Sequence, residues 1–176
     1  AGFVRGWADE ALMRLMDGLF AFPATLLAIA IVGALGPGLV NTMLAIGVAY
    51  VPVFARLARA SVISQVQAEY VEAARAVGCR SGRILCRHIL PNGLSPLIVQ
   101  ATTAFGGAIL AEAALSYLGL GVQPPDPSWG QLLNDAHNYL GVAPWLAVFP
   151  GAVIAATVLG FNLLGDGLRD YLDPRK

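Results

Sequence analysis

The residues with the most chemical potential cluster in the middle of the chain: Glu72-Ala73-Ala74, then Gly78, then His88-Ile89-Leu90-Pro91. A carboxylate beside small residues offers one defined polar contact to a surface that comes very close. Gly78 lacks a Cβ and suits a left-handed break between helices. Val66, Tyr70, Ala73, Ala74 and Val77 recur at helical spacing, with Glu69, Glu72 and Arg75 on the other side. This spacing predicts a helix closed by Gly78. Ser81 is then the N-cap of a second short helix through Ile84, Leu85 and Ile89, and Pro91 is its end. A helix–glycine–helix unit has two uses. It lies on a membrane with its basic face toward headgroups, or it docks into a groove on a soluble partner. Periodicity does not separate the two.

The remaining candidates are scattered. Glu112 stands at the end of an apolar run, and two readings stand: a carboxylate meeting water, or an intramembrane functional group. Asn162 lies inside another apolar run and reads as an interhelical hydrogen bond. His88 and His137 are expected on opposite sides of the membrane and cannot share a metal. Asp126 and Asp135 read as solvated loop carboxylates. Cys79 and Cys86 have no second pair to complete a metal site and read as reduced thiols. The single lysine is the last residue, Lys176, and no Gly-rich loop ending in Lys-Ser/Thr occurs, so this chain cradles no nucleotide phosphate. Neither a zincin helix nor a Gly-x-Ser-x-Gly elbow is present. The residues thus call for no cofactor and no metal, and they support no enzyme.

The elements that carry these residues are apolar. Of 176 residues, 57% are hydrophobic and 12% charged, and the mean hydropathy is +0.67. A soluble domain has about 25% charged residues, so composition points to lipid. Four runs approach the roughly 20 residues needed to cross a bilayer: residues 18–36, 38–55, 93–111 and 145–165. Each holds a proline (Pro23, Pro52, Pro96 and Pro150), which membrane bundles tolerate. The fold class is therefore all-α: a polytopic transmembrane helix bundle forming a single domain. All eleven basic residues fall on one side of it: Arg5 and Arg14; Arg56, Arg59, Arg75, Arg80, Arg83 and Arg87; and Arg169, Arg175 and Lys176. The positive-inside rule makes both ends and loop 56–92 cytoplasmic and places loop 123–144 outside, with Trp129, Tyr139 and Trp145 as an interfacial belt. Zero net charge gives no argument for nucleic acid.

The spaced pattern of Glu72-Ala73-Ala74, Gly78 and His88-Ile89-Leu90-Pro91 resembles the EAA loop of ABC-importer permeases. His88 departs from the apolar residue common there, while residues 87–92 resemble the peptide-uptake branch. Further resemblance to the second permease of dipeptide and oligopeptide importers runs along the chain. It includes Trp7-Ala8-Asp9-Glu10, Ala21-Phe22-Pro23, residues 119–125, Pro127-Ser128-Trp129-Gly130 and residues 162–170. The resemblance implies a permease subunit of the bacterial inner membrane that forms the pathway for small peptides. Its loop, through Glu72, Ala73, Ala74, Gly78, His88, Leu90 and Pro91, would form coupling helices in a cleft of a separate ATP-binding subunit. A second permease, cytoplasmic ATP-binding subunits and an external substrate-binding protein are the implied partners, besides the lipid bilayer. Nickel and glutathione importers share these motifs. Such permeases have about six spans, so the chain is expected to match the C-terminal two-thirds of one. A secondary transporter is the other class of reading, and would need ionisable groups near the bilayer midplane, which the four runs lack.

Overall fold

The computed structural model describes residue 3 and residues 6–172. Arg5, Arg175 and Lys176, three of the basic residues that argue orientation, lie outside the described residues. Among the described residues there is no strand. The helices are α1 (Trp7–Phe20), α2 (Ala24–Leu35), α3 (Leu39–Val66), α4 (Glu69–Ala76), α5 (Ser81–Ile84), a π-helical turn (Leu85–Ile89), α6 (Leu90–Gly93), α7 (Ser95–Tyr117), α8 (Trp129–His137) and α9 (Trp145–Leu172).

Three helices are long and apolar enough to cross a membrane: α3 and α9 with 28 residues each and α7 with 23. At 1.5 Å per residue they reach about 42, 42 and 34 Å, against a hydrocarbon layer of about 30 Å. The expected first span is divided. Residues 18–36 hold the end of α1 and all of α2, with a break at residues 21–23. Pro23 causes it, because the residue before a proline is pushed out of the helical region; Pro23 itself is the N-cap of α2. The 12 residues of α2 alone reach only about 18 Å. Pro96 sits in the first turn of α7, where a missing N–H is harmless. Only Pro52 in α3 and Pro150 in α9 are interior, and both are buried. Two loops are also more helical than expected: α3 runs on through residues 56–66, and α8 forms inside loop 123–144.

The chain divides into two compact units. The first comprises residues 1–21, 51–101 and 166–176. Its core is Val71, Ala74, Ile84 and Ile89, covered by Val62, Val66, Cys79 and Leu85. The second comprises residues 22–50 and 102–165. Its core is Ala28, Val32, Ala45, Ile46 and Leu115, with Tyr50, Ala108 and Ala111 against it. Small residues allow close approach there: Gly107 meets the Tyr50 hydroxyl, and Gly130 of α8 lies on the backbone of Ala113 in α7. Phe105 and Phe161 stack with ring centroids 5.5 Å apart, joining α7 to α9.

Candidate functional site

In the first unit, α4 opens with Glu69 and Glu72 and closes near Arg75, each charge favourable to the helix dipole. Its end is a Schellman motif. Gly78 takes φ +78°, its N–H donates to the Arg75 carbonyl at 2.9 Å, and the Cys79 N–H donates to the Ala74 carbonyl at 3.1 Å. The expected glycine break is therefore present. The burial phase differs from the sequence expectation. Val71 and Ala74 face inward onto Ile84 and Ile89, whereas Tyr70, Ala73 and Val77 are exposed, Val77 at 79%. Val66 belongs to α3, beyond a break at Gln67 and Ala68, and of the four counted residues on or beside α4 only Ala74 is buried; the short helix turns its Val71–Ala74 side to the core.

The site residues thus split. Glu72, Ala73 and Gly78 are exposed on one outward tip, and Ala74 anchors that tip from below. Ser81 is the first residue of α5 and makes no cap bond; Arg80 occupies the N-cap, a correction to the expectation. Pro91 does not end the helical run but sits at the start of α6. It has no N–H for the Arg87 carbonyl, and the backbone preceding it widens to a π turn, in which the Leu90 N–H donates to Leu85. His88 is half-buried, and its carbonyl accepts from the Asn92 side chain at 2.7 Å; Leu90 and Pro91 are exposed. The run ends where the Ser61 hydroxyl donates to the Gly93 carbonyl at 2.9 Å, tying it to α3.

Sequence reasoning missed one ion pair. Arg59 of α3 grips Asp9 of α1 with both oxygens engaged, at 3.0, 3.2 and 2.8 Å, and the Asp9 side chain is only 8% exposed. Beside it, Arg56 pairs with Asp17 at 2.8 Å and stacks on Phe20. The available signal was Asp9 itself, a carboxylate in register with Met13, Met16 and Phe20 on one helix face, where it needs a partner.

In the second unit, Glu112 has a specific partner. The buried Ser116 hydroxyl donates to the Glu112 carboxylate at 2.6 Å and accepts the Val122 N–H at 3.1 Å. A second Schellman motif ends α7: Gly119 takes φ +77°, Gly119 N–H donates to Ser116 and Leu120 N–H to Leu115. The Leu120 carbonyl then accepts from the Thr42 hydroxyl at 3.3 Å and from the Gly38 N–H at 3.4 Å. Glu112 therefore fastens a turn. Asn162 is exposed on α9, with its side chain against Gly106. His88 and His137 belong to different units.

Long apolar helices with a polar, Gly-punctuated connecting segment define a multi-pass helical membrane protein. All 176 residues match the family of binding-protein-dependent transport system inner membrane components, and the chain belongs to that family. It is 53% identical over 175 residues to the dipeptide transport system permease protein DppC of Alkalihalophilus pseudofirmus. It is 49% identical over 175 residues to the glutathione transport system permease protein GsiD of Pectobacterium atrosepticum, and 50% over 175 residues to the di/tripeptide transport system permease protein DppC of Pseudomonas aeruginosa. Each alignment covers 99% of this chain and 58% of the relative's length.

Proposed function

We propose that the chain is part of a permease subunit of an ATP-driven importer for small peptides, and that it takes its power stroke through the tip formed by Glu72, Ala73 and Gly78. The observation that carries this reading is the tip itself. A short helix presents a carboxylate, a small residue and an apolar Val77 outward, while its other face is locked on Val71 and Ala74. An exposed apolar side chain on a rigid base is a docking feature. His88, Leu90 and Pro91 shape the base of this coupling segment, through which tip movement would reach α7. Hydrolysis belongs to a partner ATP-binding subunit, since no residue here can cradle a nucleotide. A second permease would complete the pathway and an external binding protein would deliver substrate. Two similar relatives carry dipeptide and di/tripeptide names and one carries glutathione, itself a tripeptide, so small peptides are the common substrate class. The tip segment and both ends lie on the cytoplasmic side in this reading.

The test is a single cysteine at Ala73, which is exposed, rather than at the buried Ala74. Ala73→Cys in the complete, otherwise Cys-free permease should cross-link to a cysteine in the cleft of the co-expressed ATP-binding subunit, with a yield that changes when ATP is added. Coupling demands that change, because a contact equal in both states shifts no equilibrium. An assembled complex with no cross-link at Ala73 or at Glu72→Cys refutes the tip as the contact.

A further inference from the structure

Seven described arginines lie in residues 14–87. Arg14, Arg56 and Arg59 each have a carboxylate within 2.9 Å. Arg80, Arg83 and Arg87 are exposed and have no acidic partner among the described residues. Arg83 and Arg87 are four apart on the helical run from Ser81 and share one side of it, and Arg80 is the N-cap residue immediately before it. The run is anchored by its apolar residues, because Ile84 and Ile89 are buried in one cluster with Val71 and Ala74. Beyond Arg87 come exposed apolar residues at four-residue intervals, Leu90 at 42%, Leu94 at 45% and Ile98 at 43%, with the exposed Asn92 between the first two.

We infer that Arg80, Arg83 and Arg87 form a binding surface for the anionic headgroups of membrane phospholipids. Connectivity imposes the proximity. Arg87 precedes the first residue of the α7 span by eight positions, about 12 Å of helical rise. The sequence of exposed groups, guanidinium first and leucine after, matches the depth profile of a bilayer surface from headgroup to acyl chain. An acidic rim on the ATP-binding subunit is the competing occupant. It fits less well, because the outward tip of α4 carries carboxylates of its own, Glu69 and Glu72, and lies on the other side of the Gly78 break. The inference rests on the permease reading above only in placing the segment at a membrane. Its consequence is that lipid charge sets how firmly the coupling segment is held at the surface when the tip is free.

The experiment uses the complete transporter, purified with its ATP-binding subunit and titrated with phosphatidylglycerol, with phosphatidylcholine as the neutral control. Bound lipid is counted by native mass spectrometry. A juxtamembrane arginine contributes about fivefold to headgroup attraction, so R80Q/R83Q/R87Q should weaken phosphatidylglycerol binding by more than tenfold. Phosphatidylcholine binding and recovery of the ATP-binding subunit should stay unchanged. The triple Lys variant should retain the binding, and R75Q, a single charge loss on α4 that matches R83Q, should leave it intact. Single R83Q, with a severalfold loss, serves if the triple variant is not recovered. Unchanged phosphatidylglycerol binding in the Gln variants overturns the inference, as does loss of the ATP-binding subunit without loss of lipid. Gly78→Asp separates the two readings: it should release the ATP-binding subunit and leave the lipid bound.

Discussion

At the residue scale, Asp9 and Arg59 show how one buried carboxylate constrains two helices. The pair is bidentate and Asp9 is almost wholly buried, so removing Arg59 takes its charge-assisted bonds from a buried carboxylate. Losing a charge-assisted hydrogen bond to a buried carboxylate is destabilising in itself. Arg59→Gln should therefore lower the thermal midpoint of the purified permease clearly. Asp9→Asn should do so less, because an amide still accepts from the guanidinium. The double variant should be more stable than the two separate losses add up to, by a coupling of about 1–3 kcal/mol. Simple additivity in thermal denaturation would mean the pair contributes nothing beyond surface charge. The Arg14–Glu10 pair is the internal comparison: both groups are widely exposed, and breaking such a pair should shift stability by less than about 1 kcal/mol.

At the element scale, the same device closes two helices. Gly78 ends α4 and Gly119 ends α7, each with a positive φ and the same pair of backbone bonds. At Gly119 the turn has an additional fastening in Ser116, which links Glu112 to the Val122 N–H. Gly121 packs on Ser116 so closely that a Cβ has no room. Ser116→Ala removes both bonds and leaves a buried N–H without its acceptor, a loss of about 1–3 kcal/mol. The expected readout is faster proteolysis of residues 118–127 at unchanged membrane abundance. Glu112→Gln keeps an acceptor for the hydroxyl and should stay near the parent, while Glu112→Ala should resemble Ser116→Ala in direction. Equal proteolysis in all three would remove Glu112 from the turn and return it to the pathway as a candidate. Gly119 was not singled out as a helix end, whereas Gly78 was readable in the sequence because a left-handed break needs a glycine. So was the helical content, since uncharged runs of this length admit little else in lipid. The inward face of α4 was not readable: on a helix of 8 residues, Tyr70, Ala73, Ala74 and Val77 form as good an apolar set as Val71 and Ala74, and packing against Ile84 and Ile89 decides between them. The division of residues 18–36 was marked by Pro23, but a proline inside an apolar run reads equally as a tolerated kink. The Arg59–Asp9 pair joins residues brought together by the fold, and no local pattern names the partner; the Glu112–Ser116 bond is an i,i+4 pair within α7 that the sequence reading passed over.

At the scale of the whole molecule, the strongest remaining question is which way the chain crosses the bilayer. Three helices have the length and hydropathy for a crossing, with α1 and α2 together as a candidate fourth. The exposed arginines give the asymmetry. Arg75, Arg80, Arg83 and Arg87 precede α7, Arg169 sits in the last turn of α9, and the connection from α7 to α9 contains no arginine or lysine. Translocating a guanidinium is costly, so segments rich in arginine stay on the side of synthesis. If α7 and α9 each cross once, their connection lies on one face of the membrane, and the arginines before α7 and after α9 share the other. In the complete, Cys-free permease, Asp126→Cys and Asp135→Cys should react with a membrane-impermeant maleimide added outside intact cells. Both side chains are exposed and neither takes part in the packing of α8 on α7. Arg75→Cys and Asp170→Cys should react only after permeabilisation. The native Cys86, exposed in the π turn, provides a position with no substitution of its own and should follow Arg75→Cys when restored alone. The reverse labelling pattern would invert the orientation and place the Glu72 tip outside, where no ATP-binding subunit could reach it. Labelling of Asp126→Cys and Arg75→Cys from the same side would mean that α7 does not cross. The cytoplasmic coupling reading and the headgroup surface then rest on one measurement: whether the residues on either end of α7 see the same solvent.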